Sequence, residues 1–204
     1  DMSSNKIKEK YGVVGLRIQY ELKGKICIPI KETISDRKQI RVSRSFLYPI
    51  DTLEELSQAI AKYVLIASSK LREYNQLSSA ITVYTRTNIY SKDYYRSEAT
   101  TNFNMPISDS KFILKESLEL TKKIFKPYNK LIKAGIILHK LQNNYYKQIS
   151  LFNQGYYQDS FSQERLDNVI DNINKKHGID TLGWGSSIVE QSWSPRREKL
   201  SNLK

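Results

Sequence analysis

Paired acidic residues are the first candidates for chemistry in this chain of 204 residues. Carboxylates that converge on two metal ions are what metal-dependent phosphoryl transfer requires. The candidate pairs are Glu54 and Glu55, Glu116 and Glu119, and Asp167 and Asp171. Each pair falls on a predicted helix, at a spacing that helix capping or surface ion pairing explains. We therefore expect these carboxylates to be structural, and we expect no catalysis by this chain on its own.

Histidine, cysteine and glycine patterns give no stronger signal of a catalytic or metal site. His139 and His177 lie far apart and lack a Cys or carboxylate at ligand spacing, so no zinc site is expected. Cys27 is the single cysteine, which excludes an internal disulfide and fits a reducing compartment. Gly183-Trp184-Gly185 lacks the glycine spacing of a phosphate-binding loop. No apolar run approaches the ~20 residues of a membrane span, so we expect no membrane partner. We also expect a cytoplasmic protein without a cofactor of its own.

Positive charge is the main indication of function. The chain has 33 Lys and Arg against 21 Asp and Glu, a formal net charge of +12. Residues 37–50 and 120–158 contain no acidic residue at all. A well-solvated lysine-rich surface accounts for charge, but it does not require acids to be excluded over such long stretches. Phosphate binding does, because a misplaced carboxylate repels the backbone, and nucleic acid is therefore the expected partner.

Hydrophobic periodicity from residue 38 onward predicts the element order β-α-β-β-α-β. Strands are predicted at 38–46, 79–88, 99–105 and 134–141, and helices at about 52–74 and 110–126. Thr52 and Glu55 form a capping box that begins the first helix, and Asp109 can cap the second. The order is typical of the α+β ferredoxin-like split βαβ fold, a four-stranded antiparallel sheet with two helices on one face.

The two ends of the chain are predicted to lie outside this fold. Apolar residues between Ile7 and Leu22 recur on one face of a single predicted helix. The polar, Tyr-rich stretch 153–162 is interpreted as a linker. Ser162 is expected to cap a short helix that ends at Gly178.

Three stretches together resemble a known family. Residues 14–24 look like the last thumb helix, and the sequence IRVSRSF at 40–46 like the first little-finger strand, of UmuC-like Y-family translesion DNA polymerases. Residues 166–178 and 193–201 resemble the C-terminal extension of the same family. The resemblance covers nearly the whole chain, and the order and spacing of the stretches carry it.

The resemblance implies a domain organisation and a biological setting. The implied parts are a thumb-remnant helix (1–24), a connector (25–37), a little finger domain (38–147), a clamp-binding peptide (148–152), a linker (153–162) and a UmuC-type extension (163–204). The implied setting is lesion bypass, DNA repair and SOS mutagenesis. Polymerase activity and its Mg²⁺ ions would belong to the palm of the parent polymerase, which this chain lacks. UmuD-like subunits and a recombinase filament are further partners that the resemblance implies.

A little finger would lie with the open face or edge of its sheet along primer-template DNA. Binding without sequence preference suits a polymerase, so phosphate contacts should dominate over base contacts. The residues expected to make these contacts are Lys38, Arg41, Ser43, Arg44, Arg86 and Lys133.

The pentapeptide Gln148-Ile149-Ser150-Leu151-Phe152 follows the last predicted strand. Its pattern resembles the sliding-clamp-binding peptide of bacterial polymerases. Leu151 and Phe152 could fill an apolar cleft of the clamp while the Gln148 amide supplies directional hydrogen bonds. The structural alternative is that Leu151 and Phe152 cover the edge of the domain core.

Two other functions are consistent with parts of the sequence. A noncatalytic, truncated gene product could bind DNA or compete for the sliding clamp. An RNA-binding module of the same element order would need exposed aromatic residues on its central strands. Only Tyr84 is placed for that role, and the aromatic RNA-binding signature is absent.

Overall fold

A computed structural model describes residues 2–29, 36–146, 154–178 and 181–185, without the side chains of residues 146 and 154–162. The chain forms two compact units, Asp1–Asp36 and Arg37–Lys204. The predicted clamp-binding peptide at 148–152 and the second stretch of the C-terminal resemblance, 193–201, lie outside the described residues.

The first unit contains α1 (Ser4–Leu22), which is a helical hairpin and not the single helix predicted. The backbone leaves helical geometry at Gly12, with φ 68° and ψ −164°. Ser4 Oγ donates to Gln19 Oε1 at 2.9 Å, whereas a straight helix would separate these residues by about 22 Å. The reversal depends on a left-handed φ that glycine adopts without a steric penalty, so a hydrophobic period counted through Gly12 was misleading.

The second unit contains the predicted β-α-β-β-α-β order, followed by one further helix. Its elements are β1 (Ile40–Ile50), α2 (Leu53–Glu73), β2 (Gln76–Arg86), β3 (Arg96–Ile107), α3 (Ser110–Ile124), β4 (Leu131–Asn143), a 3₁₀ turn (Asn144–Tyr146) and α4 (Gln154–His177). All strand pairs are antiparallel, and the order across the sheet is β1-β4-β2-β3. The predicted α+β class, with a four-stranded antiparallel sheet, is confirmed. Each βαβ pair is split by one strand, with β4 inserted between β1 and β2.

The core lies between the sheet and the two helices α2 and α3. Alternate residues of each strand face the helices, as the period of two predicts. Val42 of β1, Ile136 of β4 and Val83 of β2 are in register and at most 1% exposed. The remaining strand side chains form the other surface of the sheet, on the side away from α2 and α3.

The starts of α2 and α3 confirm the predicted caps, whereas several other element ends differ from prediction. Thr52 Oγ1 accepts from the Glu55 N–H at 3.3 Å, and Asp109 Oδ1 accepts from Lys111 and Phe112. β1 continues through Tyr48-Pro49 to Ile50, because an irregularity in its pairing with β4 accommodates the proline at a sheet edge. α4 begins at Gln154, so residues interpreted as a linker are mostly helical. Their polarity suggested a linker, but apart from Gly155 they contain no helix breaker.

α4 is attached to α2 and α3 through a buried carboxylate. Asp167 is 1% exposed, and it accepts from the Ser110 N–H at 3.1 Å and from the Ser110 hydroxyl. Arg72 of α2 bonds Asp167 at 3.3 Å and forms a bidentate pair with Asp171 at 2.6 and 2.9 Å. Trp184 Nε1 also donates to Ser110 Oγ. The carboxylate pair of α4 therefore holds α4 against the start of α3.

Candidate nucleic-acid interface

The open face is the surface of the sheet that points away from α2 and α3. The register aligns its side chains in rows across the four strands. One row consists of Ser45, Lys133, Arg86 and Arg96, and the next of Ser43, Gly135, Tyr84 and Glu98. The third consists of Arg41, Ile137, Thr82 and Thr100. The strands place these residues about 4.8 Å apart within a row, so the first row brings three cations together.

Lys133, Arg86 and Arg96 form a basic row at one end of the open face. Among the described residues, the buried Nε of Arg86 has no hydrogen-bond partner. Arg96 donates to Glu98 at 2.9 Å, and both side chains are more than half exposed, so water screens this pair. The carboxylate of Glu98 raises the pKa of Arg96, which keeps the guanidinium charged. The row concentrates positive charge with one acidic neighbour.

Arg41 is held over the sheet by Tyr84. The Arg41 Nε donates to the Tyr84 hydroxyl at 3.0 Å, and the guanidinium carbon lies 4.8 Å from the ring centroid. Tyr84 reaches diagonally across β4 to Arg41: Gly135 is the β4 partner of Tyr84, and Ile137 is the β4 partner of Arg41. A Cβ at Gly135 would lie 2.8 Å from the Tyr84 hydroxyl and 2.4 Å from Ser43 Cβ. Glycine therefore leaves the space in which this pair forms.

The far end of the open face carries a polar network. His139 Nε2, Thr82 Oγ1 and Thr100 Oγ1 are joined by hydrogen bonds of 2.9 and 2.7 Å. Burial lowers the pKa of His139. Lys140 Nζ reaches across to Asn102 Oδ1 at 2.9 Å, which adds a cation that was not predicted here.

Four of the six predicted DNA contacts lie on the open face, and two lie elsewhere. Arg41, Ser43, Arg86 and Lys133 share this surface. Arg44 has the opposite parity and lies near Tyr63 of α2: burial raises the pKa of Tyr63, and the charge of Arg44 opposes part of that increase. Lys38 is exposed just before β1, at the end of the sheet opposite the basic row.

Sequence reasoning missed Arg96 and the orienting role of Tyr84. Arg96 begins β3, three residues before the predicted start of that strand at Ala99. Tyr84 was placed on the correct face but was considered only as a base-stacking residue. Its exposure is 5%, because it packs with Arg41.

Four of the six predicted metal-ligand candidates make other contacts. Glu55 lies in the α2 capping box, Glu119 pairs with Lys122 at 2.8 Å, and Asp167 and Asp171 bind Arg72. Within the described ranges, no three His, Cys, Asp or Glu side chains are grouped so that they could hold a metal ion. In the same part of the chain, no helix has the length and apolarity to cross a bilayer.

Comparison with known proteins matches two consecutive parts of the chain to family profiles. Residues 37–151 match the impB/mucB/samB family C-terminal domain, and residues 164–203 match a domain of unknown function (DUF4113). The chain is 28% identical to Protein UmuC of Salmonella typhimurium and 31% identical to Protein MucB of Escherichia coli. Each match covers 96% of this chain and 46% of the relative, so the chain spans about half the length of these relatives.

Among solved structures, an insertion ternary complex of Dbh DNA polymerase is similar over 70% of this chain and 40% of that chain. The TM-score is 0.43 and the sequence identity 15%. The first family profile extends from the residue before Lys38 through all four strands and both covering helices of the sheet. Because the profile matches more than half of this chain and the relatives match nearly all of it, the chain belongs to the impB/mucB/samB family and corresponds to the C-terminal part of UmuC-like proteins.

Proposed function

We propose that this chain is the DNA-binding little finger and sliding-clamp tether of a UmuC-like translesion DNA polymerase. The observation that carries the proposal is the open face, where Arg41, Arg86, Arg96 and Lys133 converge by register. One exposed carboxylate, Glu98, lies among them and is screened by water. The open face lies along primer-template DNA and binds its phosphates.

The chemistry of the open face suits binding without sequence preference. Its cations act as phosphate ligands. Between Lys133 and Lys140 the strand extends about 23 Å, which corresponds to roughly seven base pairs of duplex. Phosphate contacts over that length hold a polymerase on DNA regardless of the template sequence.

An RNA-recognition role has less support. Such modules stack bases on exposed aromatic rings of their central strands. The central strands here are β4 and β2, and the one aromatic residue that they place on the open face, Tyr84, is buried against Arg41. Its ring is not available to a base.

The part of the parent protein outside this chain supplies catalysis in this proposal. Mg²⁺ and the nucleotidyl transfer reaction belong there, whereas Glu55, Glu119 and Asp171 of this chain have structural partners. The role of this chain is to hold DNA. UmuD-like subunits and a recombinase filament remain partners expected from the family resemblance.

Salt-dependent DNA binding tests the first half of the proposal. Fluorescence anisotropy with a primer-template should give a slope of log K against log salt of roughly −4 to −5, if about five phosphates are neutralised. Replacing Lys133 and Arg96 with Ala should reduce the magnitude of that slope by about two. The matched control is Lys122→Ala/Lys123→Ala on the exposed side of α3. Equal slopes for the two double variants would contradict the assignment of the open face.

The same assay separates Arg41 from its neighbour in sequence. Arg41→Ala should reduce the slope by about one, whereas Arg44→Ala should leave it unchanged, because Arg44 lies on the helix side of the sheet. Both arginines were predicted from the sequence to contact phosphates, so an equal effect of the two substitutions would support that prediction.

A pull-down with the cognate sliding clamp tests the second half. Leu151→Ala/Phe152→Ala should abolish a modest, roughly micromolar affinity, while Gln148→Ala should cost less because water replaces part of its hydrogen bonding. Thermal stability should stay near that of the wild type if the peptide is a ligand. Clamp binding that survives together with a lowered melting temperature would favour the structural alternative.

A further inference from the structure

One end of the sheet carries four exposed tyrosines, which we call the tyrosine rim. It consists of Tyr48 near the end of β1, Tyr90 and Tyr94 in the β2–β3 loop, and Tyr128 in the α3–β4 loop. The register places all of them at the end with the basic row, because Ile50 pairs with Leu131 and Arg86 pairs with both Lys133 and Arg96. Four strands spaced by about 4.8 Å make this end about 15 Å wide.

The rim exposes aromatic surface that packing does not require. Tyr128 is 96% exposed and Tyr90 is 89% exposed, and Tyr48 and Tyr94 are 60% and 46% exposed. Tyr128 also has a left-handed backbone, with φ 70°, in a position that glycine or asparagine would occupy at lower cost. A strained and fully exposed aromatic residue contributes little to folding, which points to a ligand.

Hydrogen bonds preorganise the two loops that carry the rim. The Thr87 N–H donates to the Tyr95 carbonyl at 2.9 Å and the Tyr95 N–H to Thr87 Oγ1 at 2.8 Å, which closes the β2–β3 loop. The Tyr95 hydroxyl donates to the Ile124 carbonyl at 2.7 Å, which ties this loop to the end of α3. Lys126 lies 5.4 Å from the Tyr95 ring centroid. The rings are thus presented from a fixed base.

The charge around the rim favours a polyanion. Lys92 lies in the β2–β3 loop, Lys126 and Lys130 flank Tyr128, and the basic row is adjacent on the open face. The nearby acids are Asp51, Asp93 and Glu98, of which Glu98 pairs with Arg96. Exposed aromatic rings interleaved with lysines are the combination that binds single-stranded nucleic acid by stacking.

We propose that the tyrosine rim binds the unpaired template strand where it leaves the duplex held by the open face. About two or three bases could stack on a rim of this width, and the lysines bind their phosphates. The inference rests on the proposed function, because the open face must bind the duplex for the rim to meet the single strand.

Two DNA ligands test the inference in the whole chain. One is a blunt duplex, and the other is the same duplex with a 5′ overhang of about six thymidines. The wild type should bind the overhang ligand at least tenfold more tightly, because a single well-stacked base already contributes about that factor. Tyr90→Ala/Tyr128→Ala should lose this difference and keep its affinity for the blunt duplex. Tyr145→Ala is the matched control, because Tyr145 is 81% exposed at the opposite end of the sheet.

The outcomes separate this inference from the proposed function. Equal affinity of the wild type for both ligands, with the salt slope intact, would overturn the rim inference and leave duplex binding in place. An overhang preference that survives in the double variant would also overturn it. Failure to bind the blunt duplex with the expected salt slope would instead contradict the proposed function.

Discussion

Gly135→Ala offers a sharp test of how the open face is built. Gly135 lies in β4 between Ser43 on one side and Tyr84 on the other. An added Cβ would be 2.4 Å from Ser43 Cβ, 2.8 Å from the Tyr84 hydroxyl and 2.8 Å from the Val42 carbonyl oxygen. The carbonyl belongs to the backbone of β1, so that contact is relieved only if β1 and β4 move apart, whereas the contact with the hydroxyl is relieved if Tyr84 moves.

The expected size of the effect follows from overpacking. Forcing one methyl group into such a site costs about 1–3 kcal/mol of unfolding free energy. For a chain of this size, that loss lowers the melting temperature by about 3–10 °C. Displacement of Tyr84 also removes the hydrogen bond that orients Arg41, so the salt slope of DNA binding should fall by up to about one.

Thermal melts of the wild type and three variants test whether glycine is required at position 135. Gly135→Ala should melt below the wild type, and Ser43→Gly/Gly135→Ala should recover part of the loss, because it removes the Cβ that lies closest. Gly185→Ala is the control, since an added Cβ there meets no atom within 4 Å. A Gly135→Ala protein that melts with the wild type would refute the idea that glycine is needed at this crossing point.

Three further predictions concern other parts of the second unit. Asp167→Ala should lower the unfolding free energy by about 3 kcal/mol in urea melts, because Arg72 and the Ser110 N–H lose the carboxylate that they share. An unchanged urea midpoint would contradict the anchoring role of Asp167. Burial lowers the pKa of His139, so the unfolded chain takes up a proton at a higher pH than the folded chain does. The unfolding free energy should therefore reach its full value above about pH 6.5 and decrease as the pH falls below that value. His139→Gln should flatten that decline in urea melts at several pH values, whereas the exposed His177→Gln should not. Tyr128→Gly should melt at or up to a few degrees above the wild type, because glycine relieves the left-handed φ, and yet it should weaken overhang binding.

The sequence alone was sufficient for the elements whose cause is local. Period-two alternation identified the strands, and the Thr52 and Asp109 caps fixed two helix starts, because side chains three residues apart decide them. The same alternation also determines which surface of the sheet each side chain faces. Arg44 has the parity of the buried Val42, so its place on the helix side followed from the same alternation that identified β1.

Other features depend on contacts between distant segments. Arg96 joins Lys133 only through the register of three strands, which no pattern within one strand specifies. The hairpin in α1 depends on one left-handed glycine, and the attachment of α4 depends on Arg72, which lies 95 residues before Asp167 in the chain. The packing of Tyr84 on Arg41, likewise, follows from the neighbouring strand and not from either residue's own segment.

The attachment of α4 has a mechanical consequence for the peptide at 148–152. The first family profile ends just before residues 152–163, and the second begins just after them. Nevertheless, α4 is hydrogen-bonded to α3, which belongs to the same folded unit as β4. Only eight residue steps lead from Tyr146 at the end of the 3₁₀ turn to Gln154 at the start of α4, a contour of about 28 Å. A partner that bound between these two ends would be connected to the second unit on both sides by a short length of chain. It would not be held through a free tail.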